Sequence, residues 1–299
     1  MNNIPQRQLL PAMLSLVRAR TLAYRRAKRC QAFVLALNLL LPVVSAAAAV
    51  FMPDARPAIA VCALLLGIFD VTAIDAWMKA RLKVGAKLQE EFDCEVLDID
   101  WNEFVAGTKM DAEASYEDGC RTLDDVDERR LRDWYPVVVA ETSLEVARVI
   151  CQRENLVYDS DLRVAYRRVL FWFVVVFVVV FSAASLAFNP SFMSLVLALV
   201  PAAPALTWAL RENKRQGDTL ETLTRLKAES EKLLKATING VDAAEAKRRS
   251  RELQDAIFGH RLSSSLVFDW LYNLLRPRLE AKLVHGAKRW VDEAKRSGT

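Results

Sequence analysis

Four apolar runs constrain this chain more than any other feature. They are Ala32–Met52, Pro57–Met78, Val169–Phe188 and Ser191–Leu210. Each is about 20 residues long, enough for a helix rising 1.5 Å per residue to cross a ~30 Å hydrocarbon layer. A helix packed on a soluble core carries one apolar stripe, whereas Phe171–Phe181 is apolar on every side. The alternative is four buried helices of a soluble all-α protein. The runs come in pairs, separated by Pro53–Arg56 and by Asn189–Pro190, both turn-forming. The expected fold is therefore an all-α membrane protein, with four transmembrane helices as two hairpins and a helical cytoplasmic domain.

Composition agrees with that segregation. The chain is 53% hydrophobic and 26% charged, and both figures are high only because the two kinds of residue lie apart. The net charge of +4 implies no DNA or RNA polymer as partner. Basic residues flank the runs mainly on one side, and the turns on the other side offer only Arg56. Arg25, Arg26, Lys28 and Arg29 precede the first, Lys79, Arg81 and Lys83 follow the second, Arg163, Arg167 and Arg168 precede the third, and Arg211 and Lys214 follow the fourth. The positive-inside rule then puts both termini in the cytoplasm of a multi-pass protein of a bacterial inner membrane. Five regions result: a basic N-terminal helix (1–31), hairpin 1 (32–78), an inter-hairpin domain (79–168), hairpin 2 (169–210) and a helical tail (211–299). The N-terminal helix either lies along an anionic membrane surface or is an ordinary positive flank.

Two ionisable or amide groups sit inside the runs and one lies near an end. Asp70 falls about 12 Å from the cytoplasmic end of the second run at 1.5 Å per residue. An acid at that depth faces a bundle interior, a polar partner or water. Asp70 is either a group lining or gating a permeation path or a hydrogen-bond partner of Asn38, and Asp75 lies close enough to the interface to reach water.

Catalytic signatures are missing: GxSxG, Walker A, HExxH and a strand-borne GxGxxG are all absent. The five cysteines are spaced without CxxC, and only His260 and His285 are present, so no metal site is expected. The expected protein is not an enzyme. The binding chemistry lies in the inter-hairpin domain, in "CQRENLVYD" (Cys151–Asp159) and around it. Thr142 or Ser143 caps a helix there, and Asp159 or Ser160 offers a second cap. Arg148 and Arg153 can hold phosphates through planar donor forks. Gln152 and Asn155 can read base edges, and Trp101, Trp134, Tyr135 and Tyr158 can supply stacking faces. The same groups would serve equally as a network of ion pairs and amide bonds holding the helices to the membrane collar. Asn239–Gly240 ends a helix of the tail.

"QEEFDCEVLDIDWN" (Gln89–Asn102), "WYP" (Trp134–Pro136) and "ICQRENLVYDSDLRVAYRRV" (Ile150–Val169), set between two apolar hairpins, resemble the four-transmembrane SMODS-associated pore-forming effectors of CBASS anti-phage defence. The resemblance covers the layout of nearly the whole chain. It implies a homo-oligomeric membrane effector with no cofactor, working with a cyclic-oligonucleotide synthetase. A cyclic di- or trinucleotide would bind its cytoplasmic domain as activating ligand, and the lipid bilayer would then be breached. Three other functions fit the residues: an ion channel not gated by nucleotide, a lipid-modifying membrane enzyme, and a membrane-anchored scaffold.

Overall fold

The computed structural model describes residues 2–298 apart from 53, 55–57, 59–60, 63–64, 66–67 and 189–191, and leaves out the side chains at 42, 45–46, 48–50, 70–71, 112, 181, 184–188 and 192–204. The described residues are helical throughout, with no strand among them. A single turn, α1 (Ile4–Arg7), leads into α2 (Pro11–Phe51). A π-helical turn, Asp70–Ile74, opens α3 (Asp75–Leu97). Three short helices follow: α4 (Glu103–Ala106), α5 (Ala112–Gly119) and α6 (Asp125–Arg132). A 3₁₀ turn at Val137–Glu141 then precedes two long helices, α7 (Leu144–Phe188) and α8 (Phe192–Ile238). The tail is α9 (Ala243–Ser263) and α10 (Asp269–Arg296).

The long helices run without a break across the boundaries drawn from composition. The basic N-terminal segment and the first apolar run are one helix, α2. The inter-hairpin domain and the third run share α7, and the fourth run and the tail share α8. Ser143 caps α7 as expected, its hydroxyl accepting from the Val146 N–H at 3.4 Å. The second cap does not exist. The helix continues through Asp159 and Ser160, because Asp159 is held by Arg163 at 2.9 Å and Ser160 accepts from Lys227 Nζ at 3.2 Å. Gly240, at φ +84°, stops α8 as expected, since a left-handed residue cannot continue the helix.

One main core joins these elements. Val17 of α2, Phe92 of α3, Ile150 of α7, Leu234 of α8, Ile257 of α9 and Val291 of α10 are all buried in it. Each such side chain contributes about 1.5–3 kcal/mol on burial. A second cluster packs Leu162 and Tyr166 of α7 against Phe268 and Leu271, so the tail covers α7.

The N-terminal helix is an integral wall of this core. Val17, Ala19, Ala23 and Ala27 are buried, and the small residues let neighbouring helices approach closely. Its arginines meet acids of α5 and α6, in a stretch (90–128) that holds many acids and few basic residues: Arg18 pairs with Glu128 at 2.7 Å, Arg26 with Asp118 at 2.6 Å, and Arg25 with Asp127. That pairing explains why one region is so basic and another so acidic, and it removes the membrane-surface option for Pro11–Lys28.

Among the described residues, no helix is long and apolar enough to cross a membrane. The apolar ends of α2 and α7 nevertheless leave large side chains uncovered: Phe33, Leu40 and Phe51 on one, Phe171, Trp172, Val176, Val179 and Val180 on the other. Of the expected turns, Asn189–Pro190 and all of Pro53–Arg56 except Asp54 lie outside the described residues.

Candidate functional site

A cavity of about 1170 Å³ opens between α2, the Trp134–Val138 segment, α7 and the tail helices. It exceeds the roughly 300–1,000 Å³ of ordinary small-molecule pockets, so it has room for a ligand larger than a mononucleotide. Arg20, Tyr24 and Lys28 line it from α2, at the i, i+4, i+8 spacing that puts side chains on one helical face. Glu154, Asn155, Tyr158 and Arg163 line it from α7, His260 and Arg261 from α9, and Tyr272, Arg276 and Lys288 from α10.

Most of the cations are already matched. Lys28 pairs with Asp269 at 2.6 Å, Arg130 with Asp127 at 2.8 Å, Arg163 with Asp159 at 2.9 Å and Arg261 with Asp93 at 2.8 Å. Arg20 is different. Its guanidinium stands 4.7 Å from the centre of the Tyr24 ring and 4.9 Å from that of Trp134, with no ion-pair partner among the described residues. Its Nε lacks a hydrogen bond, and burial lowers its pKa. A cation kept dry between two rings without an anion is poised for an anion from outside.

The cavity floor is anchored by buried charge. Asp93, fully buried, accepts from Tyr135 Oη at 2.9 Å, Gln89 Nε2 at 2.7 Å and Gln254 Nε2 at 3.1 Å, besides pairing with Arg261. Glu90 accepts from Arg251 at 2.6 Å and from Gln254 at 2.8 Å. Three lining oxygens have no hydrogen-bond partner among the described residues: Gln89 Oε1, Glu154 Oε1 and Tyr158 Oη. Burial pushes the Glu154 carboxyl up to about 8. Asp159, five residues along α7, stays well below the usual carboxylate range. Burial alone would raise it, but Arg163 and His260, the latter at 2.8 Å, outweigh that cost. His260 is itself buried.

The eight residues expected to read a ligand divide into two groups. Trp134, Tyr135, Asn155 and Tyr158 line the cavity. Asn155 donates to the Tyr135 hydroxyl at 3.1 Å, and the Tyr158 and Tyr272 rings lie 5.8 Å apart. Arg148, Gln152, Arg153 and Trp101 point elsewhere. Arg148 donates to the carbonyls of Leu97 at 2.7 Å and Asp98 at 3.1 Å, closing the end of α3. Gln152 donates to Ser250 O and Gln254 Oε1, both at 2.9 Å. Arg153 pairs with Glu231 at 3.1 Å and lies over Trp290, and Trp101 Nε1 donates to Gly107 O at 2.8 Å. Two causes act. Gln152 and Glu154 differ by about 200° around a helix of 3.6 residues per turn, so Gln152 meets α9 while Glu154 meets the cavity. Arg148 lies within about 20° of Asn155 around the same helix but seven residues earlier, where it meets the end of α3 instead. Glu154 and Arg20 escaped the sequence reading. The Arg20–Tyr24–Lys28 spacing was the available signal for the second.

The sequence profile of the "SMODS-associating 4TM effector domain" matches residues 2–290. The chain belongs to this family. It is 24% identical over 281 residues to a protein of Bacillus cereus (strain VD146) named "Probable CBASS effector molecule", covering 91% of this chain and 92% of that one. No solved structure matches it. Membership ties the chain to CBASS anti-phage defence, and so to a cyclic-oligonucleotide synthetase.

The candidates in the apolar runs are placed less fully. Asp70 begins the π-helical turn, and its side chain lies outside the described residues. Asp75 pairs with Lys79 at 2.7 Å, one turn along α3. Asn38 is buried on α2.

Proposed function

We propose that this protein is a nucleotide-gated membrane effector. A cyclic di- or trinucleotide made by the partner synthetase occupies the cavity. The bacterial inner membrane, spanned by the four apolar runs with both termini in the cytoplasm, is then breached by a homo-oligomer. The observation that carries this reading is the continuity of two helices. Both α2 and α7 line the cavity with one end and expose large apolar side chains at the other, without a break between. Exposed apolar surface of that kind is an aggregation liability in water and is satisfied in lipid.

The cavity supplies the complementary chemistry. Arg20 offers an unmatched planar donor fork for a phosphodiester, Lys288 stands exposed on the lining, and Tyr24, Trp134, Tyr158 and Tyr272 offer stacking faces. A ligand gates the protein only if it prefers one conformation, and a preference of about 3 kcal/mol shifts the equilibrium roughly 150-fold. Since the walls come from helices far apart in sequence, ring closure around a ligand would change how α2 and α7 lean on α10.

The test is reconstitution of the full chain in liposomes loaded with a self-quenched dye. Adding cyclic di- and trinucleotides should release dye, and linear dinucleotides should not. Dye release that is the same with and without every cyclic nucleotide would replace this reading with an ungated channel. Intact vesicles under all conditions would favour a scaffold.

A further inference from the structure

Among the groups lining the cavity, Glu154 has no structural occupation. It is only 8% exposed, and its Oε1 has no hydrogen-bond partner. No ion pair reaches its carboxyl among the described residues, because Arg153, its neighbour in sequence, is committed to Glu231 and to the Trp290 ring. A buried carboxylate without a counter-charge or donors is strongly disfavoured, so the group is held as the neutral acid. The burial-raised pKa of about 8 agrees. A neutral carboxyl presents one O–H donor beside one C=O acceptor, where a carboxylate presents acceptors only.

We infer that Glu154 is a specificity residue of the cavity and reads a nucleobase edge as a neutral acid, donating one hydrogen bond and accepting one. The matching edges offer an acceptor beside a donor, such as the ring nitrogen and exocyclic amine of adenine or cytosine. The two adjacent donors of guanine, N1–H and the 2-amine, call for a carboxylate instead. Tyr158 stands one turn along the same face of α7, with Tyr272 at 5.8 Å, so a base stacked on that pair turns its edge toward Glu154. This inference rests on the cavity being the cyclic-oligonucleotide site.

Calorimetric titration of the detergent-solubilised full chain tests it. Cyclic di-AMP, cyclic di-GMP, cyclic AMP–GMP and cyclic tri-AMP are compared first, and the tightest binder is carried to the variants. Glu154→Gln keeps one donor and one acceptor, and its affinity should stay within about threefold, whereas Glu154→Leu and Glu154→Met should each lose about tenfold or more. Circular dichroism verifies that each variant is folded. If Glu154→Gln loses as much as the apolar variants, the group works as a carboxylate and the inference fails. If the apolar variants bind like the parent, Glu154 reads nothing and it fails again. In both cases the cavity reading stands. Absence of binding by all four rings to the parent protein would overturn the cavity reading together with this one.

Discussion

The Arg20 guanidinium lies 4.7 Å from the centre of the Tyr24 ring, one helical turn along α2, and no carboxylate completes its pairing among the described residues. Such an arrangement costs stability, since burial lowers the arginine's pKa and its Nε goes without a partner. Function is the reason to keep it. Arg20→Met should therefore leave the melting temperature unchanged or raise it, while weakening cyclic-nucleotide binding by about 1.5–3 kcal/mol, the worth of a charge-assisted hydrogen bond. Calorimetry and thermal unfolding on the same preparation separate the two effects. A destabilised variant with intact affinity would make Arg20 structural.

Gly85 on α3 faces the same tyrosine. A Cβ built there would come within 2.8 Å of Tyr24 Cε2. Glycine to alanine within a helix ordinarily stabilises by about 1 kcal/mol. Here the clash opposes that gain and must push the Tyr24 ring, and Arg20 with it, out of place. Gly85→Ala should weaken ligand binding although it touches no ligand, and Gly85→Ala combined with Tyr24→Ala should be less impaired in folding than Gly85→Ala alone.

Arg148 shows the opposite balance to Arg20. It is 2% exposed and closes the C-terminus of α3, where Asp98 adopts the left-handed conformation at φ 57°. Arg148→Ala leaves the carbonyls of Leu97 and Asp98 without these donors, a loss of about 2–3 kcal/mol for hydrogen bonds from a charged group. The midpoint of denaturant unfolding should fall, and the affinity of the folded fraction for cyclic nucleotide should not.

The Glu154 carboxyl gives stability a pH dependence of known sign. Its folded pKa, about 8, lies above that of an unfolded glutamate, so the folded state binds the extra proton. The stability this contributes is fully present below the unfolded value and is lost as pH rises through about 8. Thermal unfolding between pH 5 and 9 should show a steeper decline for the parent than for Glu154→Gln.

Cys120 is exposed, in the segment between α5 and α6. With that segment in the cytoplasm, a membrane-impermeant maleimide added to intact cells should leave Cys120 unlabelled until the cells are opened. Labelling before lysis would invert the proposed topology.

Much of the helical architecture was legible in the sequence, because caps and stops are local. Ser143 and Gly240 act within one turn of themselves, and the sequence shows them without knowledge of partners. The cavity was legible only in part. Tyr158 and Asn155 were found from their chemical type, but Arg148 and Gln152 were grouped with them because they are close along the chain. Which face of α7 meets α9 is settled by packing between residues about 100 apart, as in the bond from Gln152 to Gln254, and no local pattern encodes it. Glu154 was passed over for a related reason. Beside Arg153 it resembles half of a surface ion pair, and only the tertiary fold reveals that the arginine has turned to Glu231. The two readings of the basic N-terminal helix stayed open in the sequence because its counter-charges, Asp118, Asp127 and Glu128, lie some hundred residues away.

The unbroken length of α7 has a mechanical consequence. From Tyr158, at the cavity, to Val180, among the exposed valines, the helix advances about 33 Å at 1.5 Å per residue. A straight helix of that length resists bending, so a change of direction at one end appears magnified at the other: a tilt of about 5° displaces Val180 by about 3 Å, more than half a helical turn of 5.4 Å. The two aromatic rings at Tyr158 and Tyr272 thus sit at the short arm of a stiff pointer, and a shift there too small to disturb the surrounding core becomes, at the valines, a step of about half the spacing between side chains one turn apart.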